Sequence, residues 1–271
     1  MSERTELSYR AVLEALWSLR GPVEGERAPS ERAVRYRRSS ARGVAPTLDV
    51  YAPERADGRS VILVHGGGFF VGARDMKPMR VLASRLSAAG LTVASIDYRL
   101  ILRGGRLEEA LDDVRAARAY WRTEVTRRGL DPARVSMIGL SAGATLTMLS
   151  AGDDDRGVHR VVSCFGLYEL DHLEGPLATL MPRLLFRTED RARWAARSPR
   201  GSAQPVAPTL LLHGTHDGLV PVGQARRLAA HRESLGLPTK LAIYEGAPHG
   251  FFNQQGAHAA AATREILAHL A

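Results

Sequence analysis

Three residue types that together can attack a carbonyl stand in this sequence at the ends of apolar runs: a serine, an aspartate and a histidine. Ser141 lies in Gly-Leu-Ser-Ala-Gly (139–143), after the run RVSMIGL and before the helix-forming ATLTML. A strand that turns directly into a helix strains the residue at its tip. It also leaves no room for side chains two positions either side, which is what the two glycines supply. Such a motif is short and weak by itself, so its strand-then-helix context carries the weight. At a helix N-terminus the dipole favours the negative charge that develops during attack. A serine hydroxyl is a poor nucleophile until a base takes its proton. Asp217 follows the run PTLLLHG in HGTHDGLVP, and His249 follows TKLAIYEG in EGAPHGFF. Either residue alone reads as an ordinary loop residue. In the order Ser, Asp, His, at the ends of successive strands, they read as a triad with Ser141 as nucleophile, Asp217 as acid and His249 as base.

Attack on a carbonyl makes an oxyanion, and the run VILVHGGGFFVG (61–72) offers bare backbone to receive it. Consecutive glycines weaken the element they sit in. Three of them after a buried strand therefore point to a sharp turn or to close approach of an anion. The expected donors are the N–H groups of Gly66 and Gly67 and that of Ala142, which follows the nucleophile. One such donor is worth about a hundred- to a thousandfold in rate.

Positioning these groups takes a regular scaffold. Short apolar runs, at 60–65, 91–97, 134–140, 158–166, 208–214 and 239–246, alternate with stretches of helical periodicity. That alternation predicts an α/β fold: a mostly parallel sheet with right-handed crossovers and helices on both faces. Helices are expected over MKPMRVLASRLSAAG, LEEALDDVRAARAYWRTEVTRRG, SAGATLTMLSAG and PVGQARRLAAHRESLG, with a closing helix over 257–270. Asp75 and the glycines after the helices are the expected caps. Residues 34–39 and 47–52 read as antiparallel edge strands, and 168–207 as a long lid-like insertion between two strands. Residues 1–27 carry Val12, Leu13, Leu16, Trp17 and Leu19 at helical spacing, a helix that either caps a pocket or packs on the body. The whole chain, 1–271, reads as a single domain.

Bulk properties narrow the function. Hydrophobic content of 45% and charged content of 24% are those of a soluble globular protein. The N-terminus is too polar for a signal peptide, and no apolar run reaches membrane-spanning length. With Cys164 as the single cysteine, intrachain disulfides are excluded, and a cytoplasmic protein without membrane association is expected. The net charge of +8 raises nucleic-acid binding. The densest patch, with Arg32, Arg35, Arg37, Arg38 and Arg42, has no aromatic interleaving and no recognition motif. It reads as a solvated edge strand, and no nucleic-acid partner is expected. His213 and His216 have the look of a metal pair but lack a third ligand, so no metal is expected. Asp153, Asp154 and Asp155 lack the rest of a calcium loop. The oligomeric state is open, with a homodimer among the options.

HGGGFFVG, DYRL (97–100), GLSAG, HGTHDGLVP and APHGFF, in this order, resemble the hormone-sensitive-lipase-like and feruloyl-esterase-like branch of the α/β-hydrolases. The resemblance spans about residues 45–271. It implies an α/β-hydrolase fold, no cofactor, and hydrolysis of small-molecule carboxylic esters, typically with short acyl chains. It assigns the same triad and the same oxyanion donors as the residues themselves do. Related arylformamidases use this machinery on amides and formamides, and non-catalytic receptors on the fold have lost a triad member. Phe69, Phe70, Leu140, Leu167, Tyr168 and Phe251 are candidates to line the acyl or alcohol pocket, and core packing serves equally for Leu167 and Phe251. Three departures lie near that pocket: Leu140 in place of a frequent acidic residue, Ala144 in place of a glycine, and ILRGGRLEEA after DYRL.

Overall fold

The run Ser60–Val64 is apolar on both faces because both faces are covered. In the computed structural model, which describes residues 19, 21–37, 46–154, 157–173 and 177–271, all five of its residues are buried. The elements are β1 (Glu31–Arg35), β2 (Thr47–Tyr51), β3 (Ser60–Val64), α1 (Lys77–Ala88), β4 (Thr92–Ile96), α2 (Leu107–Arg127), β5 (Val135–Leu140), α3 (Ala142–Asp153) and β6 (Val161–Cys164). They continue with α4 (Leu177–Phe186), α5 (Arg191–Ala196), β7 (Thr209–His216), α6 (Gly223–Ser234), β8 (Thr239–Pro248) and α7 (Ala257–Leu270).

Among the described residues the sheet has eight strands in the order β1-β2-β4-β3-β5-β6-β7-β8. The pairs β1–β2 and β2–β4 are antiparallel and every other pair is parallel. Because side chains alternate along a strand, β3 sends Ile62 and Val64 into one core layer with α2, α3 and α6. Val61 and Leu63 go to the other, with α1 and α7.

The edge strand β1 begins and ends before the 34–39 expected for it. A bulge causes the shift: Ala33 has φ 52°, the register slips between Glu31 and Val34, and the Ala33 N–H goes to Asp49 Oδ1 at 2.7 Å. A bulged strand with exposed Arg32 and Arg35 is a poor template for pairing with another sheet. Arg37 is spent on Asp112 and Asp113, while Arg38 and Arg42 lie outside the described residues. The helix expected from Val12, Leu13, Leu16 and Trp17 lies outside them too.

Two helix-cap expectations fare differently. Asp75 does not cap α1: Met76 precedes the helix without a side-chain cap, and Pro78 fixes its first turn. The glycines after α1, α2 and α6 do end their helices. Gly90, Gly129 and Gly236 take left-handed φ, and Leu91, Leu130 and Leu237 bond back to Leu86, Val125 and Arg232. The insertion at 168–207 holds α4 and α5 and two short 3-10 turns, so it is an element with its own structure. Its root is tied down by Glu169, buried at 3% exposure, which pairs with Arg200 at 2.6 Å and with Arg227 of α6. Gln224 Oε1 accepts the N–H groups of Tyr168 and Glu169 at 2.7 and 3.1 Å.

Candidate active site

β5 ends at Leu140 and α3 starts at Ala142, so one residue makes the whole turn. Ser141 has φ 52° and ψ −118°, a conformation that non-glycine residues hold only under constraint. The flanking glycines give way to backbone. A Cβ at Gly139 would strike Gly143 O, and one at Gly143 would strike the carbonyls of Val64 and His65. The Ser141 N–H is fixed on Cys164 O at 2.9 Å, and the residue stays 9% exposed.

The ends of β7 and β8 bring the other two groups to that serine. His249 Nε2 lies 3.0 Å from Ser141 Oγ, and its Nδ1 lies 2.8 Å from Asp217 Oδ2. Asp217 is buried, which by itself raises a carboxyl pKa. The charge of His249, a hydrogen bond from His213 and one from His249 outweigh that burial and hold the carboxyl below its usual range. Backbone adds to this: Oδ1 accepts the N–H groups of Leu219 and Val220 at 2.9 and 2.8 Å. An ionised Asp217 requires the proton on His249 Nδ1. Nε2 then carries the lone pair, and the Ser141 hydroxyl donates to it. Phe165 packs edge-on against the His249 ring at 5.0 Å.

The first two glycines after β3 serve different ends. A Cβ at Gly66 would sit 2.9 Å from Leu140 O and 3.1 Å from Ser141 Cβ, so this backbone passes directly beside the serine. Gly67 has φ 111°, and a Cβ there would collide with Val71 O, whose N–H closes the turn onto Gly67 O. Close approach explains the first and a tight turn the second. His65 Nδ1 donates to Gly66 O at 2.7 Å, and Tyr98 stacks on His65 at 4.2 Å while its hydroxyl donates to His65 O. A trans peptide points its C=O and N–H in opposite directions. The Gly66 carbonyl held by His65 therefore turns the Gly67 N–H the other way. Among the described residues, no acceptor meets the N–H of Gly67 or of Ala142.

Several expectations for the pocket lining are corrected. Phe69, Leu140 and Tyr168 are packing residues at 1%, 3% and 0% exposure, with no face left for a substrate. Tyr168 spends its hydroxyl on Ser163 Oγ at 2.8 Å. Leu167 and Phe251 are buried too, in opposite core layers, and Phe70 alone of the six is half-buried. The His213–His216 pair is split by the strand: His213 is wholly buried and His216 exposed. Asp153 ends α3 and pairs with Arg115, and Asp155 lies outside the described residues. Among the described residues, no cluster of three or more His, Cys, Asp or Glu is placed to hold a metal, and no helix is long and apolar enough to cross a membrane. Sequence reasoning missed His65 and Tyr98, although both sit inside quoted motifs, and it weighed His213 only as half of a metal pair, without a role beside Asp217. Phe165 carried no signal except its place just past a strand.

Residues 48–231 match the BD-FAE family. Esterase LipC of Mycobacterium tuberculosis is 31% identical over 220 residues, covering 73% of this chain and 54% of LipC. The probable isoprenylcysteine alpha-carbonyl methylesterase ICME of Oryza sativa is 27% identical over 228 residues, covering 74% of this chain and 54% of its own. The chain thus spans about half the length of these relatives. The structure of Thermogutta terrifontis esterase 2 phosphonylated by sarin superposes with a TM-score of 0.74 at 24% identity, covering 92% of this chain and 95% of that one.

Proposed function

The chain belongs to the BD-FAE family and has the α/β-hydrolase fold, and from that premise we propose that it hydrolyses small carboxylic esters, with short acyl chains, through an acyl-enzyme on Ser141. The observation that carries this reading is the continuous chain Ser141–His249–Asp217, at 3.0 and 2.8 Å, on a strained strand-to-helix turn. Ser141 Oγ attacks the ester carbonyl while its proton passes to His249 Nε2. Asp217, ionised, stabilises the imidazolium and keeps it oriented. The N–H groups of Gly67 and Ala142, with Gly66 beside the serine, receive the oxyanion. Collapse of the tetrahedral intermediate expels the alcohol, which takes the proton from His249 Nε2. Water then repeats the sequence on the acyl-enzyme, releasing the acid and restoring the serine.

The names of LipC and of the plant methylesterase support an ester substrate over an amide. A non-catalytic receptor role is disfavoured because all three groups are present and in contact. The lone, buried Cys164 supports a cytoplasmic setting. We assign the insertion at 168–207 as the cover of the pocket, since it leaves the sheet beside the serine: Thr145 of α3 donates to Leu167 O at 2.8 Å. The test is hydrolysis of p-nitrophenyl acetate and butyrate. Wild type turns both over, and Ser141→Ala loses at least about a thousandfold in kcat with its fold intact. A variant that keeps more than about a tenth of kcat would place the nucleophile elsewhere.

A further inference from the structure

Asp217 serves two imidazoles, and the proposed chemistry uses only one. His213 on β7 is wholly buried, with Nε2 2.9 Å from Val220 O and 3.1 Å from the same Oδ2 that receives His249. Both neighbours of Nε2 are acceptors, so Nε2 carries the proton. Among the described residues Nδ1 meets no partner. Building on the ester-hydrolase reading, we infer that His213 is a positioning residue: a fixed donor beside Asp217 Oδ2 that aligns the carboxylate on His249.

The geometry gives this donor a job that backbone cannot do. The Leu219 and Val220 N–H groups hold Oδ1 alone, so the pivot of Oδ2 about that oxygen is limited only by side chains, His249 at 2.8 Å and His213 at 3.1 Å. A second donor on Oδ2 stops the pivot and shares the electron density that His249 Nδ1–H also draws on. The same hydrogen bond is one of the contributions that keep the Asp217 carboxyl low. Other titratable groups around His213 do not compete. Cys164 of β6 and Tyr168 beyond it are kept neutral by burial, as is Tyr244 of β8. Glu245 of β8 and His216 face solvent, and Arg227 of α6 is taken by Glu169.

His213→Met keeps volume and removes the donor, and His213→Gln restores an N–H near the Nε2 position. With the donor gone, Asp217 becomes more basic and steadies the His249 imidazolium, so the acid limb of kcat/KM moves to higher pH, by about half to one unit. The kcat on the plateau falls by about tenfold with KM unchanged, the worth of a hydrogen bond to a charged group. The Gln variant recovers most of both. A Met variant with the wild-type limb and kcat per folded molecule, or equal losses in Met and Gln, would overturn the assignment. A second measurement needs neither a variant nor an ester. In 15N NMR of the wild-type protein, His213 should hold its proton on Nε2. A His213 that holds its proton on Nδ1 ends the proposal. Because this readout is independent of turnover, a failure of the ester assignment would be seen separately.

Discussion

At the scale of the residue, the account turns on which atom holds which proton. Asp217→Asn puts an amide where the carboxylate receives two imidazoles, and it can hold His249 in the wrong tautomer, so kcat falls by about 10⁴ with little change in KM. The wild-type kcat/KM rises with pH through a single ionisation, that of His249. Asp217 adds no limb of its own, because its lowered carboxyl is already ionised across the working range. A rate flat from acid to alkaline pH contradicts a histidine base. Gly67 allows a second test. Its φ of 111° and the Val71 carbonyl in the path of a Cβ mean that Gly67→Ala disturbs the turn itself. Stability and kcat then fall together, and kcat per folded molecule falls by about a hundredfold if the N–H is lost to the oxyanion. Wild-type kcat per folded molecule would leave Gly67 as a turn residue only. The three principal residues were legible because a strained turn and its order of partners leave a mark in sequence. His65, Tyr98 and His213 were not. Their roles depend on Gly66 O, His65 O and Asp217 Oδ2, atoms that only the folded chain brings to them.

The elements were largely legible, because a strand covered on both faces must be apolar throughout and a crossover helix on one. β3, β4 and β5 fall within the runs expected for them, and α7 matches its predicted span. The failures have local causes: a bulge at Ala33, a proline in place of an aspartate cap, and helices inside an apparent loop. The insertion yields a prediction of its own. Burial raises the Glu169 carboxyl pKa, but hydrogen bonds and charge from Arg227 and Arg200 win, and the net shift is downward. A lowered folded-state pKa stabilises above the unfolded value, and that contribution is lost as pH falls through the folded one. Both arginines are half exposed, so the pairs are partly screened. Glu169→Gln should lower Tm at pH 7 by about 2–6 °C, with the gap to wild type closing below the carboxylate range. A gap constant from pH 7 to pH 3 in calorimetry would remove Glu169 from the ion-pair role.

For the whole molecule, one sheet sets the order of events. Successive parallel strands end on the same side, so β5, β7 and β8, far apart in sequence, deliver serine, carboxylate and imidazole to one place. The antiparallel β1 and β2 close one edge with arginines and a bulge, and the positive charge of the chain is dispersed rather than gathered on a recognition face. All of it serves one claim, that Ser141 is a nucleophile activated in place. The most direct measurement is labelling with a fluorophosphonate, followed by intact mass and peptide mapping. The account predicts one adduct per chain, on Ser141, with esterase activity lost in proportion and no adduct on Ser141→Ala. Ester hydrolysis that survives complete exposure to the reagent, or an adduct mapped to any other residue, would contradict it.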